Sequence, residues 1–104
     1  MEPFTITKTD DAVQLGLVAS MDLRAAEPLL HTFHEALGHN GKIVIDASAV
    51  DRLSTPCVQI LLSAAQHMEQ HNIPFVIRSP SDAFVTAFDD LGLFSFLMKW
   101  PVET

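Results

Sequence analysis

The chain has 104 residues, of which 48% are apolar, and a formal net charge of −7. That apolar share excludes intrinsic disorder, and the length suits a single domain over residues 1–104 with a core that needs no staples. Six Lys and Arg against thirteen Asp and Glu argue against a nucleic-acid partner and against adsorption to an anionic membrane face, since both need clustered cations.

In chain order, Met1-Glu2-Pro3-Phe4 carries neither the basic region nor the apolar core of a secretory signal. Phe4 to Thr7 and Ala12 to Val18 read as two strands, with Lys8 to Asp11 as the hairpin turn. In the second, Val13, Leu15 and Leu17 alternate with Ala12, Gln14 and Gly16, the mark of a half-buried strand. From Asp22 to Leu37 the period becomes helical, with Leu23, Ala26, Leu30, Phe33 and Leu37 on one face. Asp22 is the expected N-cap and Gly38 the expected stop.

Lys42 to Asp46 contains the β-branched run Ile-Val-Ile of a central strand, and Asp46 to Leu53 follows as a loop. From Pro56 to His71 the pattern is helical, with Cys57, Ile60, Leu61, Ala64 and Met68 in register. Thr55 is the expected N-cap, with Pro56 at the first helical position. Pro74 to Ile77 gives another strand. Ser79-Pro80-Ser81-Asp82 then opens a third helix with Phe84, Val85, Phe88 and Leu91 as its apolar stripe and Gly92 as its end. Leu97 to Trp100 reads as a last edge strand cut off by Pro101. Phe94, Phe96 and Trp100 either close the core or form an edge that associates with another chain.

Strands linked through helices imply parallel crossovers, hence an α/β fold. Sites in such sheets lie beyond the carboxyl ends of the strands, which is where the loop from Asp46 to Pro56 falls. No run approaches the roughly 20 apolar residues that span a bilayer. Cys57 is the sole cysteine and forms no intrachain disulfide, which fits a reducing compartment. The expectation is a cytoplasmic protein without direct membrane insertion.

Catalytic groups are sparse. Cys57 would feel the positive end of its helix, which lowers a thiol pKa and opens a redox or thiol reading. It also falls on the apolar stripe, where a cysteine packs as a small hydrophobe. His67 and His71, like His31 and His34, share a helical face, yet two ligands fall short of the three or four a metal needs. The glycines at 16, 38, 41 and 92 are too scattered for a phosphate loop. No enzyme, metal or cofactor is expected. Ser54-Thr55-Pro56 is more informative, because a helix N-terminus favours an anion and a phosphate on Thr55 or Ser54 would add up to about two negative charges. Thr55 as a plain helix cap is the competing reading.

The stretch Ile43-Val44-Ile45-Asp46 through Ser54-Thr55-Pro56-Cys57-Val58-Gln59-Ile60-Leu61-Leu62 resembles the signature of STAS domains, the bacterial anti-sigma-factor antagonists and their relatives. Pro74-Phe75-Val76-Ile77 through Leu91-Gly92-Leu93 is similar to the family's next strand and helix. The resemblance implies a mixed, mostly parallel sheet of four to five strands with helices packed on it. Against the family's pattern, Ser54 stands where Asp is usual, Thr55 takes the first Ser/Thr place, Pro56 replaces the usual phosphoserine and Cys57 replaces Gly. Proline has no hydroxyl, so only Thr55 and Ser54 remain as candidate phosphorylation residues. The pattern is closest to small STAS proteins of bacterial chemotaxis clusters, or to the cytoplasmic STAS subunit of lipid-transport ABC complexes. Either relative implies a regulator that binds a protein partner, a histidine-kinase-like or other ATPase, with the oligomeric state open. The implied contact residues are Asp46, Asp51, Arg52, Ser54, Thr55 and Pro56, followed by Gln59, Ser63 and Gln66 on the helix. Each of these also reads as an ordinary solvated position.

Overall fold

The computed structural model describes residues 4–9, 11–36 and 41–103. Its main sheet has five strands in the order β1-β2-β4-β6-β7: β1 Thr5–Lys8, β2 Ala12–Gly16, β4 Lys42–Asp46, β6 Phe75–Arg78 and β7 Val102–Glu103. The β1–β2 hairpin is antiparallel and every other pairing is parallel, so the expected mixed, mostly parallel α/β sheet is present. A separate parallel ladder joins β3 Ser20–Met21 to β5 Arg52–Leu53. The helices are α1 Ala26–Ala36, preceded by a 3₁₀ turn at Leu23–Ala25, α2 Thr55–Gln70, α3 Asp82–Asp90 and the single turn α4 Phe94–Leu97.

Alternation decides the layers. Val13 and Leu15, Ile43 and Ile45, and Phe75 and Ile77 point to one face, where they are buried with Leu29 and Phe33 of α1, Leu61 and Met68 of α2, and Phe84 and Phe88 of α3. Val44 and Val76 point the other way and lie outside that cluster. Long polar side chains bridge strands instead: Arg78 donates to Gln14 at 2.9 Å, and Lys42 pairs with Glu103 at 3.4 Å.

Several sequence expectations shift. The second strand ends at Gly16, two residues short of Val18. Leu23 and Leu30, assigned to the apolar stripe of the first helix, are 71% and 44% exposed; Phe33 is buried as expected, and Leu29, Thr32 and Ala36 are buried beside it. The 3₁₀ turn, with three residues per turn, advances the phase before the α-helix starts. Thr32 meets its burial by donating to the Pro28 carbonyl at 2.8 Å, and Pro28 itself is tolerated because it sits in the first turn. Leu37 and Gly38 lie outside the described residues.

In α2 the buried set is Cys57, Val58, Leu61, Ala65 and Met68, so Ile60 and Ala64 flank the core rather than fill it. In α3, Phe84 and Phe88 are buried, whereas Leu91 is exposed past the helix end. Gly92 follows with φ +72°, the left-handed conformation that glycine adopts at no steric cost. Leu97 to Trp100 forms no strand. Gly92 releases a helical turn, α4 follows, and the edge strand β7 begins only after Pro101. The Ile77 N–H reaches the Pro101 carbonyl at 3.0 Å, and a proline at a sheet margin need only accept. Trp100 packs edge-on against Phe75 and Phe88, with centroids at 5.1 and 5.6 Å, and so closes the core. Phe94 and Phe96 remain exposed.

Candidate functional site

The carboxyl ends of β2, β4 and β6 meet the loop from Asp46 to Ser54 at one end of the sheet. This segment is held from both sides. Leu17 N–H donates to Asp46 O at 3.0 Å, and Ala47 N–H to Arg78 O at 3.0 Å. Asp51 and Arg52 N–H both reach Ala19 O, at 2.8 and 3.1 Å. Val50 is buried as an anchor, and the Ser81 hydroxyl donates to its carbonyl at 2.6 Å. The β3–β5 ladder is therefore what the expected free loop becomes: seven connecting residues end in a short paired strand that aims the chain into α2.

Asp46 is half-buried and its carboxylate accepts from Ser48 N–H at 3.0 Å and Ser48 Oγ at 2.7 Å. It shapes the loop from within. Asp51 and Arg52 are exposed on the outer side.

Ser54, rather than Thr55, is the N-cap of α2. Its backbone is extended, at φ −74° and ψ 158°, because its N–H is tied to Met21 O at 2.8 Å, so the helix opens one residue later, at Thr55. Pro56 takes the second helical position, within the first turn where its missing N–H leaves no bond unmade. Ser54 Oγ makes no capping bond and is enclosed without a hydrogen-bond partner of sound geometry. Its polar neighbour is Cys57, which is fully buried with Sγ 3.5 Å from the Asp22 carbonyl. Burial pushes the Cys57 thiol above its ordinary value, and the Ser54 hydroxyl offsets part of that rise. The thiol is thus both enclosed and held protonated, the opposite of an activated nucleophile. Asp22 does cap the turn ahead of α1: its side chain accepts from Arg24 N–H at 2.9 Å and pairs with the Arg24 guanidinium at 3.0 Å. That hydrogen bond holds its carboxyl below the usual range.

Thr55 is exposed and Pro56 half-buried. Gln59, Ser63 and Gln66 are exposed too, and the steps of four, four and three from Thr55 place all four residues along one face of α2. The structure thus brings Thr55, Gln59, Ser63 and Gln66 together as a polar ridge, with Arg52 on the short strand that leads into it and Asp51 just before that strand. It encloses Ser54 Oγ and engages the Asp46 carboxylate within the loop, on Ser48. His67 and His71 stack with ring centroids 4.3 Å apart, and His71 Nδ1 donates to the His67 carbonyl at 2.9 Å. Among the described residues no three His, Cys, Asp or Glu side chains gather as a metal site, and no helix is long and apolar enough to cross a membrane.

A family model described as "Mlab, STAS domain" matches residues 4–98. Among solved structures, the chain is similar to the anti-sigma factor antagonist SpoIIAA in its unphosphorylated form, at 17% identity and TM-score 0.77, covering 97% of this chain and 88% of that one. An anti-sigma-factor antagonist (STAS) domain protein from Planctomyces limnophilus superposes with TM-score 0.80 at 16% identity, over 97% of this chain and 89% of its own. A variant of RsbS from Moorella thermoacetica gives TM-score 0.77 at 22% identity, over 95% and 84% respectively. At such identities these likenesses speak to the fold. No curated protein matches the chain.

Proposed function

The chain belongs to the STAS domain family, and we propose that it is a non-catalytic regulatory module that binds a protein partner through the start of α2 and the polar ridge behind it. The observation that carries this reading is the contrast between two adjacent hydroxyls: Ser54 Oγ is enclosed, whereas Thr55 stands exposed at the positive end of a 16-residue helix. A phosphate on Thr55 would add up to about two negative charges where the helix dipole tolerates them, changing the face a partner meets without disturbing the core. Asp51, Arg52, Gln59, Ser63 and Gln66 supply the surrounding contacts. The enclosed, protonated Cys57 supports a binding role over a thiol or redox one.

The partner is of the kinase or ATPase type, the class implied by the family resemblance. SpoIIAA is described as an anti-sigma factor antagonist with an unphosphorylated form, which supports switching by phosphate. Here Pro56 stands at the family's usual phosphoserine, so the switch moves one residue back to Thr55 and chemotaxis signalling is favoured over sigma-factor control. A second reading, the cytoplasmic STAS subunit of a lipid-transport ABC complex, has its own support. The matching family model carries the Mlab name, and a position 56 without a hydroxyl suits a constitutive contact.

One purification separates the two. The tagged protein is isolated from its native host under phosphatase inhibition, and its intact mass, peptide map and co-eluting proteins are determined together. Phosphate on Thr55 with a kinase-like ATPase supports the signalling module. A stoichiometric ATPase and permease without phosphate supports the transporter subunit. Neither phosphate nor any ATPase under any growth condition overturns both.

A further inference from the structure

At the other end of α2 from Thr55 lies a cleft of about 600 Å³, a size at which sites commonly hold small molecules. Leu62 and Ala65 line it from α2, Phe75 from the start of β6, and Phe96 and Trp100 from the segment after α3. The aromatic wall is preformed, because Trp100 is fixed edge-on between Phe75 and Phe88. Lys99 stands at this wall with Nζ 5.3 Å from the centroid of the Phe96 ring, a cation–π contact that restricts where the ammonium sits. Arg24 and Lys42 have carboxylate partners, whereas Lys99 makes no ion pair among the described residues. In a chain of net charge −7, Lys99 is the one cation among the described residues that line this cleft. Glu69 lines the cleft from α2, also without an ion pair among the described residues.

We propose that this cleft binds an anionic amphiphile, its apolar body against Phe75, Trp100 and Leu62 and its carboxylate or similar head group on Lys99. Apolar lining supplies affinity by removing the ligand's hydrocarbon from water, and a single fixed cation selects the sign of the head group. Glu69 opposes an anion and directs the head group toward Lys99. This site does not depend on the partner-docking reading, although Gln66 belongs to both surfaces.

Trp100 is the only tryptophan in the chain, so its emission reports on the cleft directly. The test titrates the full chain with sodium decanoate and its ω-bromo analogue, which quenches indole emission, with decyltrimethylammonium as the cationic control. The 1:1 complex is counted by native mass spectrometry. The expected result is saturable quenching, weakened at least about fivefold by Lys99→Gln, which removes the cation and its contact with Phe96, and strengthened by Glu69→Gln, which removes the opposing charge. Circular dichroism confirms that both variants keep the fold. Unsaturable quenching, equal binding of decyltrimethylammonium, or a dissociation constant unchanged in Lys99→Gln would overturn the proposal. So would dimerisation that shields Trp100 from an aqueous quencher without any amphiphile, because the occupant would then be a second copy of the chain.

Discussion

Helices α2 and α3 begin on serines with nearly the same backbone, φ −74° and ψ 158° at Ser54 against φ −71° and ψ 163° at Ser81. Their side chains part company. Ser81 Oγ accepts from Phe84 N–H at 3.1 Å and donates to the Val50 carbonyl at 2.6 Å, so one hydroxyl caps its helix and ties it to the loop after β4. Ser54 Oγ does neither. The start of α2 is held without a side-chain cap, by Ser54 N–H on Met21 O at 2.8 Å, Val58 N–H on Ser54 O at 3.0 Å and the burial of Cys57 and Val58. Pro56 lessens the demand further by bringing no N–H to the first turn. An extended N-cap backbone therefore does not imply a working cap. Where the hydroxyl is not recruited, the helix end stays open to an incoming charge.

If packing and capping both hold α3, removing its first core aromatic should cost more than removing its cap. Phe84 is fully buried, tilted against Phe88 with centroids 5.2 Å apart. Phe84→Ala is expected to destabilise by about 3–5 kcal/mol in urea unfolding. Ser81→Ala should follow at about 1–2 kcal/mol, because it removes a cap and also leaves the Val50 carbonyl short of a donor. Equal losses at the two positions would mean that α3 depends on its cap as much as on its core.

The same contrast explains what the sequence made legible. The order of the long strands and helices as far as α3, the parallel sheet and the Cys57, Leu61 and Met68 part of the α2 core followed from periodicity, because apolar patterns there hold over whole elements. Ile60 and Ala64 only flank that core, and the segment after Gly92 forms α4 in place of a strand. The 3₁₀ turn at Leu23–Ala25 escaped, since it shifts helical phase without altering composition, and Leu23 and Leu30 went to the wrong face. The β3–β5 ladder is two residues long and rests on backbone bonds to Ala19 and Met21, which no side-chain pattern announces. At the site, the exposure of Thr55, Gln59, Ser63 and Gln66 was readable from helical spacing. The inward turn of Ser54 and the internal use of Asp46 by Ser48 were not, because they depend on tertiary neighbours. The helix start was misplaced by one residue for the same reason: Thr-Pro reads as cap and first position until Met21 claims Ser54.

The open end of α2 makes a prediction about binding. Thr55→Asp places a negative charge on the exposed ridge and is expected to weaken the co-purifying partner about tenfold, or about 1.4 kcal/mol, in a titration of the purified pair. Thr55→Ala should leave it within about twofold, since a rim contact carries little energy. If Thr55→Ala weakens binding as much as Thr55→Asp, the hydroxyl itself is the contact and charge is not the switch.

Beneath that ridge, Cys57 gives a smaller effect. Burial raises its thiol above the ordinary value of 9.0, so the folded state prefers the protonated form more strongly than the unfolded chain does. The associated stability is complete below the unfolded thiol's pKa and declines as pH rises past it. Thermal melts should be unaffected by this group between about pH 6 and 8 and should fall above about pH 9, with Cys57→Ala losing that alkaline slope. A slope that survives in Cys57→Ala would assign it to another group.

The smallest effect is the most telling for the comparison of the two serines. Ser54→Ala removes a hydroxyl that makes no cap and is enclosed beside a buried thiol. Deleting an unsatisfied polar atom relieves a desolvation cost, and that offsets the lost polar contact to Cys57. The change is expected within about 0.5 kcal/mol of zero, against the roughly 1 kcal/mol usual for an N-cap serine. Measured beside Ser81→Ala in the same denaturant series, it isolates the side-chain cap, since the two sites share their backbone conformation. A loss at Ser54 as large as that at Ser81 would show that its hydroxyl caps α2 in solution, and that the start of this helix is closed to an incoming phosphate.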